Sequence, residues 1–455
     1  MSGGAAKEPQ LERFRPSLGL SLAVMGIALA AFDLISPHLA VAHRAFGSIS
    51  TKPPIYGLFR PGFSELGTIS IVLTTVAFVG AWAITRSERL RAIWVLPVAM
   101  AFMLAFTASI AILNGDPKGF VYPFLRRTDY QGDVRFVTKL GISGFIRMFP
   151  QVVGQAAAVH TKTHPPGPVV FFSLLQTLSP HHVIPRAVVM AIMSVLVLIP
   201  TWFITRRFGD ARTATYAVLL LAVAPAPGLF VFTSMDAVYA TMLAGCAALL
   251  VWGLGKQGKP WIAFIGGVAM SLVSLFTYAV FFIAAFAVIY AFMTDAWRKA
   301  LRCLALVGVG GILGLALLRV TVGYDLLACF RASYSIVPRT DRSFWYWVFG
   351  NPAVWLTFAG LPIAALGVRE LIFERPRYLI AFLIPVLIAD LTWIFPGETE
   401  RIGQFAYPFL AAAAGIALVR WEASQGRRRP WVVAWLVLLA AVQTMMLEAL
   451  FFTHW

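Results

Sequence analysis

Apolar and polar positions in this chain alternate on the scale of whole segments. Runs of near-continuous apolar sequence recur at roughly 18–36, 67–85, 91–113, 186–205, 212–231, 236–253, 260–275, 277–293, 301–320, 351–368, 376–395, 402–420 and 431–452. Runs of this length can cross a hydrocarbon core, so the pattern predicts about 13 transmembrane helices. Trp261–Met293 is a single apolar run that the segment Ser274–Tyr278 divides in two. If that division fails, everything downstream inverts. The longest polar interval is Thr128–Gly167. It opens with Asp129-Tyr130-Gln131-Gly132-Asp133, carries Arg135, Lys139 and Arg147, and closes with His160-Thr161-Lys162-Thr163-His164-Pro165-Pro166-Gly167. The spans read as a scaffold that holds this loop and two smaller ones at one face of a bilayer.

Lys and Arg set the orientation. With the N-terminus inside, the short connections at 86–91, 206–212, 256–259, 298–302, 369–377 and 420–429 are inner and basic. This is the pattern expected of cytoplasmic loops. The remaining Lys and Arg lie mostly in long outer loops, where that rule has little force, and a phosphate ligand is the natural explanation for them. Acidic residues lean outward, and Asp390 and Glu448 fall near the outer ends of spans. A charge there normally faces a cavity or a partner. The apolar segment 167–178 is too short to cross, and making it a span would turn Arg206, Arg207 and Arg212 outward. It is predicted as a re-entrant or amphipathic helix on the outer surface. The resulting divisions are a tail 1–17, a membrane module 18–320 with outer loops 37–66 and 114–185, and C-terminal helices 321–455 with outer loops 321–350 and 396–401.

Composition narrows the class. Of 455 residues, 59% are hydrophobic and 13% charged, with a mean hydropathy of +0.79. Soluble domains carry about 25% charged residues. A net charge of +17 would suggest nucleic acid in a soluble protein. Here the basic residues punctuate apolar runs, so they point to topology and anionic lipid, with no nucleic-acid partner. Cys246, Cys303 and Cys329 form neither a disulfide framework nor a metal-ligand spacing. The apolar stretch Leu18–Ala31 follows Lys7, Arg13 and Arg15, exceeds a cleaved signal core and lacks a small-residue cleavage site. It is expected to be a retained first span.

A resemblance is carried by His164-Pro165-Pro166-Gly167-Pro168, the apolar segment after it, Ile184-Pro185-Arg186-Ala187 opening a span, Arg206-Arg207-Phe208-Gly209 closing it, and Ser234-Met235-Asp236-Ala237 on the next outer loop. Over roughly 129–255 this order resembles the GT-C superfamily of integral-membrane glycosyltransferases, in pattern nearest the protein O-mannosyltransferase and aminoarabinose transferase group. The resemblance implies an all-α bundle with outer-face juxtamembrane helices. It also implies sugar transfer, with inversion, from a polyprenyl-phosphate donor to a lipid, glycan or protein acceptor at the outer face of a membrane, here a bacterial inner membrane. By position Asp133 matches the family's catalytic carboxylate, with Asp129 close behind. His164 matches the phosphate-side basic residue before Pro-Pro, and Asp236 the second-loop acid. One departure is that two spans, rather than one, precede a loop that the family usually places after the first span. An earlier Lys52-Pro53-Pro54-Ile55-Tyr56, with Asp33 upstream, also fits the motif. Only the later copy is followed by the Arg–span–Arg-Arg-Phe-Gly–span–Asp order.

The chemistry of the remaining loops fits the same expectation. Such a transfer needs a carboxylate to take the acceptor proton, cations where phosphate charge develops, and an apolar path for the lipid. His160, Lys162, His164, Arg135, Arg331 and Arg401 are the candidate phosphate ligands. Asp236, Glu398 and Glu400 are candidate sugar or acceptor ligands. The loop 321–350 adds Arg339, Asp341 and Arg342 before Phe344-Trp345-Tyr346-Trp347, aromatics that read first as an interfacial belt. The alternation of His160, Lys162 and His164 does not supply three metal ligands of fixed geometry. No metal site is assigned, and a divalent cation stays open as a cofactor. The competing class is a transporter or flippase for a lipid-linked anion, which predicts charges buried mid-span and a repeat between halves. Here the charges gather at one face and no clear repeat is present. A non-enzymatic assembly subunit is a third reading.

Overall fold

With no water in the hydrocarbon layer, a spanning backbone must satisfy its own hydrogen bonds, and helices do so within one segment. A computed structural model of the chain is accordingly helical almost throughout and describes residues 17–42, 55, 57–87, 92–126, 129–336, 342–394 and 397–452. Its one sheet among those residues is a two-residue antiparallel ladder, Leu58–Phe59 with Phe451–Phe452. The protein is an all-α polytopic membrane bundle. Eight of the described helices are long and apolar enough to cross a membrane: Leu18–Leu39, Gly67–Arg86, Trp94–Ala111, Val183–Phe208, Asp236–Gly253, Trp297–Val322, Thr399–Ser424 and Pro430–Leu450.

The expected count of 13 is higher because several apolar runs fold as short or broken helices. The run 212–231 stops at Leu221 and resumes as Pro225–Phe230, because Pro225 has no N–H with which to continue the ladder. Pro260–Ser274 and Val280–Thr294 have 15 residues each, and at 1.5 Å per residue each is about 22 Å long. The expected break between them is present. Its carbonyls are satisfied from outside: Gly167 N–H donates to Leu275 O at 2.8 Å, and the Tyr324 hydroxyl donates to Ser274 O at 2.6 Å. A Cβ on Gly167 would lie 2.4 Å from that Leu275 oxygen, so the Pro-Pro-Gly turn reaches the break only because its third residue has no side chain.

The single straight span expected at 351–368 is corrected to two helices, Phe344–Ala359 and Leu361–Phe373, bent by 117°. Gly360 sits at the bend with φ +86°, a region open to glycine. The broken ladder is repaired by Gln443, whose amide donates to Thr357 O at 2.9 Å while its carbonyl accepts from Leu361 N–H at 2.7 Å.

Charged clusters mark both ends of the span Thr399–Ser424. At one end Glu422 accepts from Arg212, from the Tyr216 hydroxyl at 3.0 Å and from Arg429 N–H at 2.6 Å. Nearby, Arg420 pairs with Glu370 and Glu374, and Lys299 donates to Gly255 O at 2.8 Å. At the other end lie Asp129, His160, Asp236 and Arg401. The span Thr399–Ser424 carries Arg401 near one end and Glu422 near the other. The helical rise puts them about 30 Å apart, the thickness of a hydrocarbon core.

The region 114–185 is itself largely helical. Tyr130–Val152 bends at Gly141 (φ +71°), a short helix Val159–Thr163 follows, and Gly167–Leu178 is a helix of 12 residues, too short to cross a membrane. The Gln443 bridge makes a specific prediction. Gln443→Leu keeps the side-chain volume but leaves Leu361 N–H unpaired and Thr357 O with only its bond from Gly360 N–H, a loss of about 1–3 kcal/mol. A clear fall in the unfolding midpoint in detergent is expected; an unchanged midpoint would mean the bend holds itself.

Candidate functional site

Asp129 takes the N-cap position of the helix Tyr130–Val152, with extended backbone at φ −99° and ψ −179°. An aspartate there normally turns its carboxylate onto the helix's free N–H groups. This one makes no capping bond. It faces a cleft lined by Pro123, Asp129, Tyr130, His160, Phe172, Thr233, Ser234, Met235, Asp236 and Arg401, enclosing about 320 Å³ of empty space including its mouth. His160 Nε2 lies 3.9 Å from Asp129 Oδ1. Asp129 Oδ2 is buried and accepts no hydrogen bond. Burial raises the Asp129 pKa above the ordinary carboxylate value, against the opposing pull of Arg126 and then Arg401.

Asp133, one helical turn on, is arranged in the opposite way. It is fully buried, and its two oxygens accept from Ala157 N–H at 2.8 Å and Ala158 N–H at 3.0 Å. Arg135 stands 3.9 Å from Oδ1, on the protein surface. Asp133 does not line the cleft. It fastens the turn that leads into Val159–Thr163 and thereby positions His160. The two carboxylates thus differ in bonding: Asp129 lines the cleft and keeps one oxygen without a hydrogen bond, and both oxygens of Asp133 are bonded to backbone.

The far wall is an ion-pair chain. Arg401 Nε lies 3.2 Å from Asp236 Oδ2 and its Nη2 lies 2.7 Å from Glu398 Oε2. Arg342 Nη2 reaches the other oxygen of Glu398 at 3.3 Å. Ser234 holds Asp236 from behind, its hydroxyl donating to Oδ2 at 2.8 Å and accepting from Asp236 N–H at 3.1 Å. The floor is aromatic. The Tyr239 hydroxyl donates to the Tyr130 hydroxyl at 2.9 Å, and the His164 ring stacks on Tyr239 at 5.1 Å. His164 Nδ1 lies 3.1 Å from the His160 carbonyl, which can only accept, so this bond puts the proton on Nδ1.

Of the expected phosphate ligands, only His160 and Arg401 line this cleft. Burial, then the field of Arg401, holds the His160 pKa below the usual imidazole value despite Asp236, and burial lowers that of His164. Both rings are therefore neutral at physiological pH and act as hydrogen-bonding groups rather than cations. Lys162 is half-buried on the same short helix as His160. Arg135 and Arg331 are exposed and lie off the cleft, Arg331 on the helix Leu326–Ile336. Of the expected sugar or acceptor ligands, Asp236 is in the cleft, Glu398 is held between two arginines, and Glu400 is buried outside the lining. Lys52-Pro53-Pro54, Arg339 and Asp341 lie outside the described residues. Among those residues no group of three His, Cys, Asp or Glu side chains is placed to hold a metal ion. Sequence reasoning did not single out Tyr130, Phe172, Ser234 or Tyr239. The available signals were adjacency to Asp129 for Tyr130, and for Tyr239 the i+3 spacing from Asp236 on one helix.

Fold and site together define a polytopic membrane protein with a buried, acid-rich cleft at one end of its bundle. No protein-family profile and no curated protein matches the sequence. Among solved structures, an oligosaccharyltransferase from Archaeoglobus fulgidus crystallised with Zn and sulfate is similar at a TM-score of 0.45 and 17% identity, over 76% of this chain and 52% of that one. Its apo form is similar at a TM-score of 0.46 and 15% identity, over 80% and 56%. The chain spans about half the length of those structures. Likeness this remote carries no information about reaction or substrate.

The two aspartates separate in a stability measurement. Asp133→Asn can accept only one of the two N–H bonds and is expected to lose about 1–3 kcal/mol. A carboxyl with a raised folded-state pKa stabilises the fold below its unfolded pKa and loses that contribution as pH rises through the folded value. Asp129→Asn removes a charge that burial disfavours, so its melting temperature at pH 7 is expected to equal or exceed that of wild type. The reverse ranking of the two variants would refute the assignment.

Proposed function

We propose that the protein is an integral-membrane glycosyltransferase of GT-C type, transferring a sugar from a polyprenyl-phosphate donor to a lipid, glycan or protein acceptor at the outer face of the membrane. The observation that carries this reading is the Asp129 carboxylate oxygen, buried in the cleft with no hydrogen bond of its own. A base needs a free lone pair within reach of the proton it takes and a pKa moved toward working pH; the unbonded Oδ2 and the raised pKa of Asp129 support that role. The sequence resemblance supplies the donor class, and a single base opposite the leaving group supplies inversion.

In this reading the acceptor hydroxyl lies against Asp129 Oδ2. As its oxygen bonds to the anomeric carbon, its proton passes to Asp129. The bond from that carbon to the phosphate oxygen breaks, and the electron pair leaves on the polyprenyl phosphate. The Arg401 guanidinium, across the cleft, stabilises the charge that develops there. His160 orients Asp129 as a neutral ring. Asp236 and Ser234 fix Arg401, and the Tyr130–Tyr239 pair shapes the floor.

The test uses the protein in nanodiscs with a panel of polyprenyl-phosphate sugars and measures release of free polyprenyl phosphate, with mass spectrometry of the acceptor. Loss of a general base costs about 10²–10⁴-fold in rate, and Asp129→Asn is expected to lose that much. Asp133→Asn, assayed where it is folded, is expected to stay within about tenfold of wild type on the same scale. The wild-type rate is expected to rise with pH through an acid limb above the usual aspartate value of about 3.9, because only the ionised form accepts the proton. Full release by Asp129→Asn would refute the base. No release from any donor, with lipid-linked sugar crossing the bilayer instead, would replace the enzyme with a transporter.

A further inference from the structure

Arg401, the cationic side chain lining the cleft, is already committed, since Asp236 takes its Nε and Glu398 takes its Nη2. Around Arg126, Arg342 and Arg401 stand the four carboxylates of Asp129, Asp236, Glu398 and Glu400. An anionic substrate entering this arrangement unchanged would meet more negative than positive charge. The geometry of Glu398 resolves the conflict. Its two oxygens bridge two guanidiniums, Oε1 to Arg342 at 3.3 Å and Oε2 to Arg401 at 2.7 Å. Two arginines around one anion is the arrangement that suits a phosphate, whose additional oxygen and charge let it hold both.

The three side chains also differ in burial. Those of Arg342 and Arg401 are 12% and 10% exposed and that of Glu398 is 24% exposed, so the carboxylate is the outermost member. Arg342 is held from the side by the Trp347 ring, 5.8 Å from its guanidinium carbon. Glu398 has φ +63° and follows Gly397 at φ +104°, a backbone region that a residue with a side chain seldom adopts. The arginines are thus fixed by packing, while the carboxylate is the member with a route outward.

We propose that Glu398 is a resident stand-in for the phosphate of the released polyprenyl monophosphate, and that Arg342 and Arg401 form a clamp which this lipid phosphate monoester occupies by displacing the Glu398 carboxylate toward solvent. The inference rests on the lipid-phosphate reading above and extends the phosphate site to Arg342. Without substrate, Glu398 keeps the two guanidiniums neutralised and in place. With substrate, Arg401 trades one anion for another and retains Asp236.

The experiment measures binding of polyprenyl monophosphate, with uncharged polyprenol of the same length as control, to the full-length protein in nanodiscs. Wild type, Glu398→Gln and Arg342→Gln are compared. Glu398→Gln keeps the side-chain shape but no longer competes as an anion, and is expected to bind the phosphate about tenfold more tightly. Arg342→Gln is expected to bind about tenfold more weakly. Tightening on removal of a bridging carboxylate is an outcome that a merely structural ion pair would not give. Unchanged or weaker binding in Glu398→Gln, or unchanged binding in Arg342→Gln, overturns the clamp and leaves the glycosyltransferase reading standing. If Glu398→Gln is not recovered folded, Arg342→Gln decides alone. A wild type that does not distinguish the phosphate from polyprenol overturns the lipid-phosphate reading, and the clamp with it.

Discussion

The Arg401–Asp236 ion pair is the interaction on which the site depends. Both side chains are about nine-tenths buried. Taking two such charges out of water costs several kcal/mol per ion, and their attraction offsets this only with good geometry and further hydrogen bonds. Those bonds are present: Ser234 on Asp236 and Glu398 on Arg401. The pair joins the start of the helix Asp236–Gly253 to the start of the span Thr399–Ser424, which are far apart in the chain. Nearby, Trp355 Nε1–H donates to Gly403 O at 3.1 Å and the Tyr407 hydroxyl donates to Trp355 O at 3.1 Å. A buried ion pair is weak evidence of stability. Its value here is positional, because it fixes where a cation faces the cleft.

Asp129 sits on the other side of that balance. A helix N-terminus offers a carboxylate several N–H groups, and Asp129 takes none of them with its side chain. A satisfied carboxylate would stabilise the fold and be a poor base. An unsatisfied one weakens the fold at neutral pH and can take a proton. Asp133 makes the contrast within a single turn: it spends both oxygens on the backbone of 157–158 and so holds His160 in place. In the proposed reading the two residues would divide structural and chemical work, in line with the general conflict between stability and activity at functional sites.

This division explains what was legible in the sequence. Eight of the expected spans were, because apolar run length is set by the bilayer; the other apolar runs fold as shorter or broken helices. The break at 274–278 and the helix Gly167–Leu178 were, because short polar interruptions and a Pro-Pro turn mark ends. The two-ended distribution of charge was, because Arg and Glu meet solvent or each other wherever spans stop. The different bonding of Asp129 and Asp133 was not. Both are aspartates in one polar stretch, and the N–H groups that claim Asp133 come from a turn more than twenty residues away. The bend at Gly360 was hidden for a similar reason, since its repair comes from Gln443 on another helix. Arg342 could be named from the sequence, but its partnership with Glu398 is long-range and carries no local signal.

The His-Pro-Pro-Gly motif shows how a resemblance can rest on packing as much as on chemistry. It drew attention as a place for a basic residue beside a phosphate. In the fold, its glycine is pressed against the carbonyl that ends the helix Pro260–Ser274, and its histidine stacks beneath the cleft on Tyr239. The two prolines restrict the chain to the turn that makes both contacts, because each fixes φ and biases the residue before it. A neutral ring with one nitrogen bonded to its own helix contributes shape to the cleft and leaves the charge to arginine. Sequence motifs around such sites therefore record two requirements at once, the joint that brings distant helices together and the group that meets the substrate.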